Sequence, residues 1–347
     1  MSLFIRLIFL ALAIALAVTA VGYRWLMMTM NEPLVMSAPV QLQVSRGESI
    51  YHVARTLREL QVLDAERPFV YYARYMDMAT KIKAGEYAIA VDTTPHQLLQ
   101  QLVDGDVIQY SVTLVEGQTI QDYLLRLQAE DKLVRPDDFA ALIADPAQLM
   151  IRLGKEGVHP EGQFFPDTYF FTRGASMLDI LQRASDKMAE VLEEEWQGRA
   201  PDLPYKSPYE ALTMASIVEK ETGVEAERAD IAGVFVRRLQ KGMRLQTDPT
   251  VIYGLGAAYR GNIQRHHLRQ KTAYNTYVIR GLPPTPIANP GREAIHASLH
   301  PADGKYLYFV ARGDGSHAFS ETLDDHNRAV RQYQLKRRAD YRSAPAP

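Results

Sequence analysis

Residues Leu7–Tyr23 carry no charge and lie between Arg6 and Arg24, and Trp25, Leu26, Met27 and Met28 carry the apolar character on to Met30. This run limits the architecture more than any other feature of the chain. A helix that spans a bilayer needs about 20 largely apolar residues, often with aromatic residues at the interface. Tyr23 and Trp25 suit that interface. The rival reading is a cleaved signal peptide, because Ala15-Leu16-Ala17 and Val18-Thr19-Ala20 both resemble small-x-small cleavage sites. We read a retained single-pass anchor over residues 1–30, since the apolar stretch is too long for a signal peptide's short apolar core. Arg6 and the amino terminus balance poorly against Arg24, so flanking charge supports an orientation with the bulk outside only weakly.

The whole chain has 347 residues, 47% of them hydrophobic, enough for one large or two medium domains. Its net charge of −2 gives no sign of a nucleic-acid partner. There are no cysteines, which removes disulfides, zinc–thiolate sites and thiol nucleophiles.

Strand and helix signals alternate after the Pro-containing linker Asn31–Pro39. Leu42–Ile50 predicts a short strand, a turn at Gly47 and an N-cap at Ser49. Helices are expected over Tyr51–Gln61 and Arg67–Met78, then a strand ending at Ile89 and a helix Pro95–Val103 capped by Thr94. Val112–Ile120 repeats the Leu42–Ile50 pattern 70 residues later, pairing Gly47 with Gly117, Ser49 with Thr119, and Leu57 with Leu127. Two copies are too few for a solenoid, so we expect two similar strand–turn–helix units. The first copy, through Ile89, loosely resembles the LysM glycan-binding module, with a longer insert between its strands. Sugar binding and a plain spacer role are both open for it.

The stretch Ala211–Gly223 reads Ala-Leu-Thr-Met-Ala-Ser-Ile-Val-Glu-Lys-Glu-Thr-Gly, a strong helix signal. At about 100° per residue, Met214, Ile217, Val218 and Glu221 share a stripe. A carboxyl beside such a face is partly desolvated, which raises its pKa and suits it to protonating a leaving group. Glu219 points roughly 200° away, so the two carboxylates cannot enter one cleft from this helix. Leu212 and Ala215 make the opposite side apolar too. The ordinary alternative puts Glu221 at a helix end with its head in water.

Further candidates surround it. Pro160–Phe170 packs aromatics with Glu161 and Asp167; it reads equally as a core-plugging loop or as a sugar-facing wall carrying a second carboxylate. Arg135–Asp138 begins a helix that Asp145-Pro146 interrupts. Met177–Gly198 is a polar helix whose Glu193-Glu194-Glu195 run reads as a solvated face. Glu225–Leu239 is expected to be helical, with Gly242 as its stop, and Asp248-Pro249 to start another helix. The proline-rich Gly281–Gly291 suits a stiff cleft wall or an ordered structural loop. Tyr306–Arg312 and His317–Ser320 flank a hairpin turn at Gly313-Asp314-Gly315, and Thr322 caps a closing helix Asp324–Arg338. His296 and His300, with Glu293, have metal-like spacing, but Pro301 sets His300 at a helix end and no full ligand set exists, so we expect neither metal nor cofactor.

Four motifs together resemble a known family. Glu161-Gly162 with Phe165-Pro166-Asp167-Thr168-Tyr169, Ala215–Glu221, Leu245–Gly254, and Tyr274-Asn275-Thr276-Tyr277 with Gly281-Leu282-Pro283-Pro284 occur in the order found in the YceG-like endolytic murein transglycosylases, the MltG family. Thr285 departs from the glycine common there. The resemblance implies an α+β protein with an N-terminal transmembrane helix. A LysM-like β-α-α-β subdomain over 31–110 and a catalytic domain over 111–347 with a lysozyme-like active site would follow. It implies a single-pass inner-membrane protein with its bulk in the periplasm, acting on peptidoglycan near the synthases that make the strands.

The implied reaction is non-hydrolytic cleavage of the β-1,4 bond between N-acetylmuramic acid and N-acetylglucosamine inside nascent strands, leaving 1,6-anhydro ends. Glu221 matches the family's catalytic glutamate. Gln246, Asp248, Thr250, Tyr274, Asn275 and Thr276 fall in the motifs and are expected to bind substrate, with Glu161 and Asp167 beside them; Asp248 and Asn275 read equally well as caps and turn formers. The rivals are a hydrolase using Glu161 or Asp167 as base for a water, and a non-catalytic glycan-binding scaffold.

Overall fold

The computed structural model describes residues 3–335. They form two compact units. The first holds the described residues up to Tyr110 together with Phe170–Gly174; the second holds 111–169 and everything described from Ala175 on. The return of 170–174 to the first unit is marked by no periodicity in the sequence.

In the first unit, α1 runs Leu3–Asn31. Its 29 residues give a rod of about 43 Å, longer than the roughly 30 Å hydrocarbon layer of a bilayer. The hydroxyls of Thr19 and Thr29 donate to Ala15 and Trp25 carbonyls four residues back, so neither is left without a partner on the apolar rod. Near the end of α1, Met30 turns into the core of this unit.

That core is built on β1 (Val40–Val44) and β2 (Gly85–Ile89), antiparallel with Leu42 opposite Tyr87. α2 (Ile50–Glu59) is capped by Ser49 and buries Ile50, Val53, Ala54 and Leu57, the spacing of one helical face. α3 (Glu66–Tyr75) and α4 (Pro95–Asp104) close over them. Thr94 and Gln97 form a capping box at the start of α4.

The second unit opens with the repeated grammar. β3 (Tyr110–Thr113) leads to α5 (Ile120–Gln128), capped by Thr119. Gly47 and Gly117 both take left-handed backbone, φ 78° and 73°, and Leu57 and Leu127 are both fully buried. α6 (Phe139–Ala144) and α7 (Ala147–Arg152) break at Asp145-Pro146 as expected. β4 (Thr168–Phe171) pairs with β3, Thr168 meeting Thr113.

α8 (Met177–Gln197), α9 (Pro208–Glu221), α10 (Arg228–Gln240), α11 (Asp248–Leu255) and α12 (Arg292–Leu299) make the helical body. α9 is its axis. Every residue from Ala211 to Val218 is buried, so the expected apolar stripe is corrected to a helix enclosed on all sides. Thr213 and Ser216 tolerate this because their hydroxyls donate to the Tyr209 and Thr213 carbonyls.

The acidic run of α8 is likewise not a plain solvated face. Arg292 of α12 bonds Glu194 and Glu195, and His296 bonds Glu195 at 2.8 Å. β5 (Tyr308–Ala311) and β6 (His317–Ser320) form the expected hairpin, with Gly313 and Gly315 at φ 89° and 95°. α13 (Leu323–Val330), capped by Thr322, is shorter than expected because a π-helical turn, Arg331–Leu335, takes over; residues 336–338 of the expected helix lie outside the described residues.

Candidate active site

Glu221 is the last residue of α9, and Thr222 turns the chain into extended backbone immediately after it. The carboxyl follows a helix whose previous eight core positions are sealed, and it is itself only partly exposed. Burial pushes its pKa up to about 7; Asp248 adds to the rise, while the Thr247 hydroxyl and Arg238 oppose it. Thr247 donates its hydroxyl hydrogen to Glu221 Oε1. Glu219 points elsewhere and accepts from the Gly291 amide at 3.1 Å, as helical phase requires.

Thr247 is held by two other threonines. Its amide donates to Thr276 Oγ1 at 3.0 Å, its carbonyl accepts from Thr250 Oγ1 at 2.8 Å, and those two hydroxyls lie 2.9 Å apart. All three side chains are buried. Thr250 and Thr276 therefore contact Thr247 and do not themselves line the hollow.

Next to Thr247, Gln246 has a left-handed backbone, φ 55°, which is costly for a residue with a side chain. It is held there by its amide's bond to the Thr276 carbonyl and by Arg238. Arg238 is buried on α10 and spends its guanidinium on the carbonyls of Arg244, Leu245 and Leu307, with a longer contact of 3.4 Å to Gln246 Oε1.

These groups border an open hollow of about 460 Å³ lined by Glu221, Gln246, Thr247, Asp248 and Tyr277. Tyr308, His317 and His326, from the hairpin and α13, line it as well. Tyr277 donates to Asp248 Oδ1 at 2.7 Å. The structure thus brings Glu221, Gln246 and Asp248 together directly.

The remaining expected site residues are placed differently. Asn275 is buried and donates to the His267 and Gln270 carbonyls, the turn-forming alternative. Tyr274 packs on the Tyr253 ring and bonds Thr285 at 2.8 Å, so Thr285 serves as a hydrogen-bond partner. Asp167 is exposed and accepts from its neighbour Thr168, at the start of β4. Glu161 is buried and accepts from the Ile120 amide at 2.9 Å and the Tyr253 hydroxyl at 3.2 Å. Burial pushes its pKa up to about 7, against the pull of those donors. Neither acid lines the Glu221 hollow.

Residues 285–291 are buried, and Asn289 joins the Phe164 amide to the Gln118 carbonyl. This segment is a brace and not a wall of the hollow, the structural alternative for it. His296 and His300 do approach a third ligand type, but it is Glu195 and not Glu293. Both oxygens of Glu195 are taken by Arg292 and His296, so the cluster as built ties α8 to α12.

Sequence reasoning missed Arg238, Tyr277, Tyr308, His317 and His326. Arg238 lies in the expected Glu225–Leu239 helix with no motif to mark it, and Tyr308, His317 and His326 have no motif spacing. Thr247 and Tyr277 were inside recognised motifs and gave the only signal available.

The model of the YceG-like family matches residues 42–332. The chain belongs to the YceG-like family. It is 32% identical over 309 residues to an endolytic murein transglycosylase of Bacillus subtilis, covering 85% of this chain and 84% of that protein. An endolytic murein transglycosylase of Streptococcus pneumoniae is 25% identical over 85% of this chain, which spans 58% of that longer protein. Among solved structures, a yceG-like protein of Listeria monocytogenes superimposes with a TM-score of 0.55 at 30% identity, over 84% of this chain and 99% of that one.

Proposed function

We propose that this chain is an endolytic murein transglycosylase whose acid and base is Glu221. The observation that carries the reading is one carboxyl, raised to a pKa of about 7 by burial, at the mouth of a hollow with the size and polarity for sugars. Family membership and the names of the relatives support the substrate class.

With its pKa pushed up to about 7, Glu221 keeps a protonated population near neutral pH. In that form it gives its proton to the glycosidic oxygen as the bond to C1 breaks. The substrate's 2-acetamido oxygen relieves charge at C1, a known alternative to an enzyme nucleophile. The ionised Glu221 then takes the proton of the muramoyl 6-hydroxyl, whose oxygen closes on C1. That closure is intramolecular and gains the entropic advantage of a tethered nucleophile. Thr247 keeps the carboxyl aimed through both steps. Gln246 and Asp248 contact the sugar.

Hydrolysis is the second reading, because Asp248 is another carboxylate in the same hollow. Full-length protein in detergent, given murein strands, separates them by mass: anhydro ends support transglycosylation, and reducing ends support hydrolysis with Asp248 as base. Glu221→Gln should cleave nothing while staying folded. Undiminished cleavage would remove Glu221 from the chemistry and leave a scaffold.

The rest of the chain fits a tethered enzyme. α1 anchors it once in the inner membrane, with the second unit on the periplasmic side near the strand-making synthases. The first unit takes the LysM-like role. A hollow in it, lined by Tyr51, Arg74 and Asp77 between the turn at Gly47 and the loop after α3, supports contact with glycan.

A further inference from the structure

The hollow that Glu221 lines also carries an oriented imidazole. One carboxylate, that of Glu227, grips His317 twice: Oε1 accepts the His317 amide at 2.9 Å and Oε2 meets ring Nδ1 at 2.7 Å. With Nδ1 engaged by the carboxylate, the far ring nitrogen Nε2 is the one left to meet another group. The pair is sheltered, with side-chain exposures of 7% and 15%. Phe309 stands edge-on to the ring at 5.4 Å and fixes its plane. Such a pairing orients a histidine for work at its far nitrogen.

Among the described residues Nε2 has no hydrogen-bond partner, and it is not sealed from solvent. The ring lines the hollow shared with Glu221, Gln246 and Asp248. His326, stacked on Tyr308 at 5.3 Å, lines the same hollow.

We propose that His317, held by Glu227, is a substrate-facing residue whose Nε2 hydrogen-bonds a hydroxyl or acetamido group of the glycan bound in the Glu221 hollow. This rests on the transglycosylase reading. Its alternative is a latch that joins the segment after α9 to the hairpin and never meets substrate.

Two substitutions divide the roles. In His317→Asn the amide nitrogen replaces Nδ1 and can keep the bond to Glu227, but nothing replaces Nε2. In His317→Gln the amide reaches the Nε2 position and the bond to Glu227 is lost. With full-length protein in detergent, His317→Asn should melt like the wild type while KM for murein strands rises about tenfold, the worth of one good hydrogen bond. His317→Gln should melt lower but keep KM closer to the wild type. A wild-type KM in His317→Asn overturns the proposal, as does a pattern in which activity simply follows melting temperature in both variants.

Binding of muropeptide-free glycan strands to Glu221→Gln and to Glu221→Gln/His317→Asn keeps the test independent of turnover. Affinity about tenfold weaker in the double variant supports the proposal. Equal affinity, or no binding by either, sinks it. Failure of the underlying reading looks different: wild-type protein that yields reducing ends, or Glu221→Gln that still cleaves.

Discussion

Thr247 and Glu221 come from different elements, yet the Thr247 hydroxyl donates straight to the carboxyl that ends α9. The bond favours the ionised form and so restrains the rise that burial causes. Removing the hydroxyl with Thr247→Val should raise the pKa of Glu221 further above about 7. Activity that needs the protonated acid falls as pH rises through that pKa, so the alkaline limb of kcat/KM should move to higher pH. The maximal rate should drop about tenfold through lost aim, and Thr247→Ser should restore both. A pH–rate series on the three proteins checks it; an alkaline limb that moves to lower pH contradicts the assignment.

The same burial has a stability consequence. A carboxyl whose folded pKa lies above its unfolded value destabilises the fold once pH exceeds the unfolded value near 4.5, and the cost is complete above the folded value near 7. At 1.36 kcal/mol per unit this is on the order of 3 kcal/mol. Glu221→Gln should therefore melt with the wild type at pH 4 and above it at pH 8. Melting curves across that range decide it, and a gap that closes as pH rises counts against a buried Glu221.

Local grammar made most elements legible. Ser49, Thr94, Thr119 and Thr322 cap helices as their spacing suggests, because a cap needs only a side chain and the next turn. For Glu221 the expected desolvation holds, but its cause differs. The apolar stripe dissolves in a helix buried all round, and what singles Glu221 out is its place just beyond the last buried turn. Arg238, His317 and His326 were illegible because their significance lies in long-range contacts, such as that between Arg238 and the Leu307 carbonyl, which no periodicity records. Glu161 and Asn289 share the same lesson: a polar residue in a recognised loop can be a buried brace as readily as a ligand contact.

Gln246 should separate stability from function. Its left-handed backbone costs about 1 kcal/mol, which glycine does not pay. Gln246→Gly should hold or raise the melting temperature while KM for murein rises, since the side chain faces the hollow. Gln246→Val, branched at Cβ, should lose both stability and activity. Equal stability in the two variants would mean that the backbone carries no strain.

Asn289 should behave as a brace. Its side chain bonds the Phe164 amide at 3.1 Å and the Gln118 carbonyl at 3.1 Å, both far from it in sequence. Asn289→Ala strands the buried Phe164 amide, while the Gln118 carbonyl keeps the Asn289 backbone amide, so the cost is about 1–3 kcal/mol. Asn289→Asp should recover only part, because it keeps the acceptor toward Phe164 and loses the donor toward Gln118. Thermal melts measure this directly, and loss of activity without loss of stability would instead assign Asn289 to substrate contact.

The absence of cysteine makes the membrane arrangement open to a clean labelling experiment. Val35, just past α1, is 94% exposed. A lone cysteine there, Val35→Cys, is the chain's single thiol. If α1 is a retained anchor with the remainder outside, a membrane-impermeant maleimide should label it in intact spheroplasts, and the labelled chain should stay with the membrane through a carbonate wash. Labelling only after permeabilisation would reverse the orientation. A labelled chain released to the soluble fraction, with its amino terminus near Ala20, would mean that the segment before it is cleaved, and the 29-residue helix would then serve for export and not for attachment.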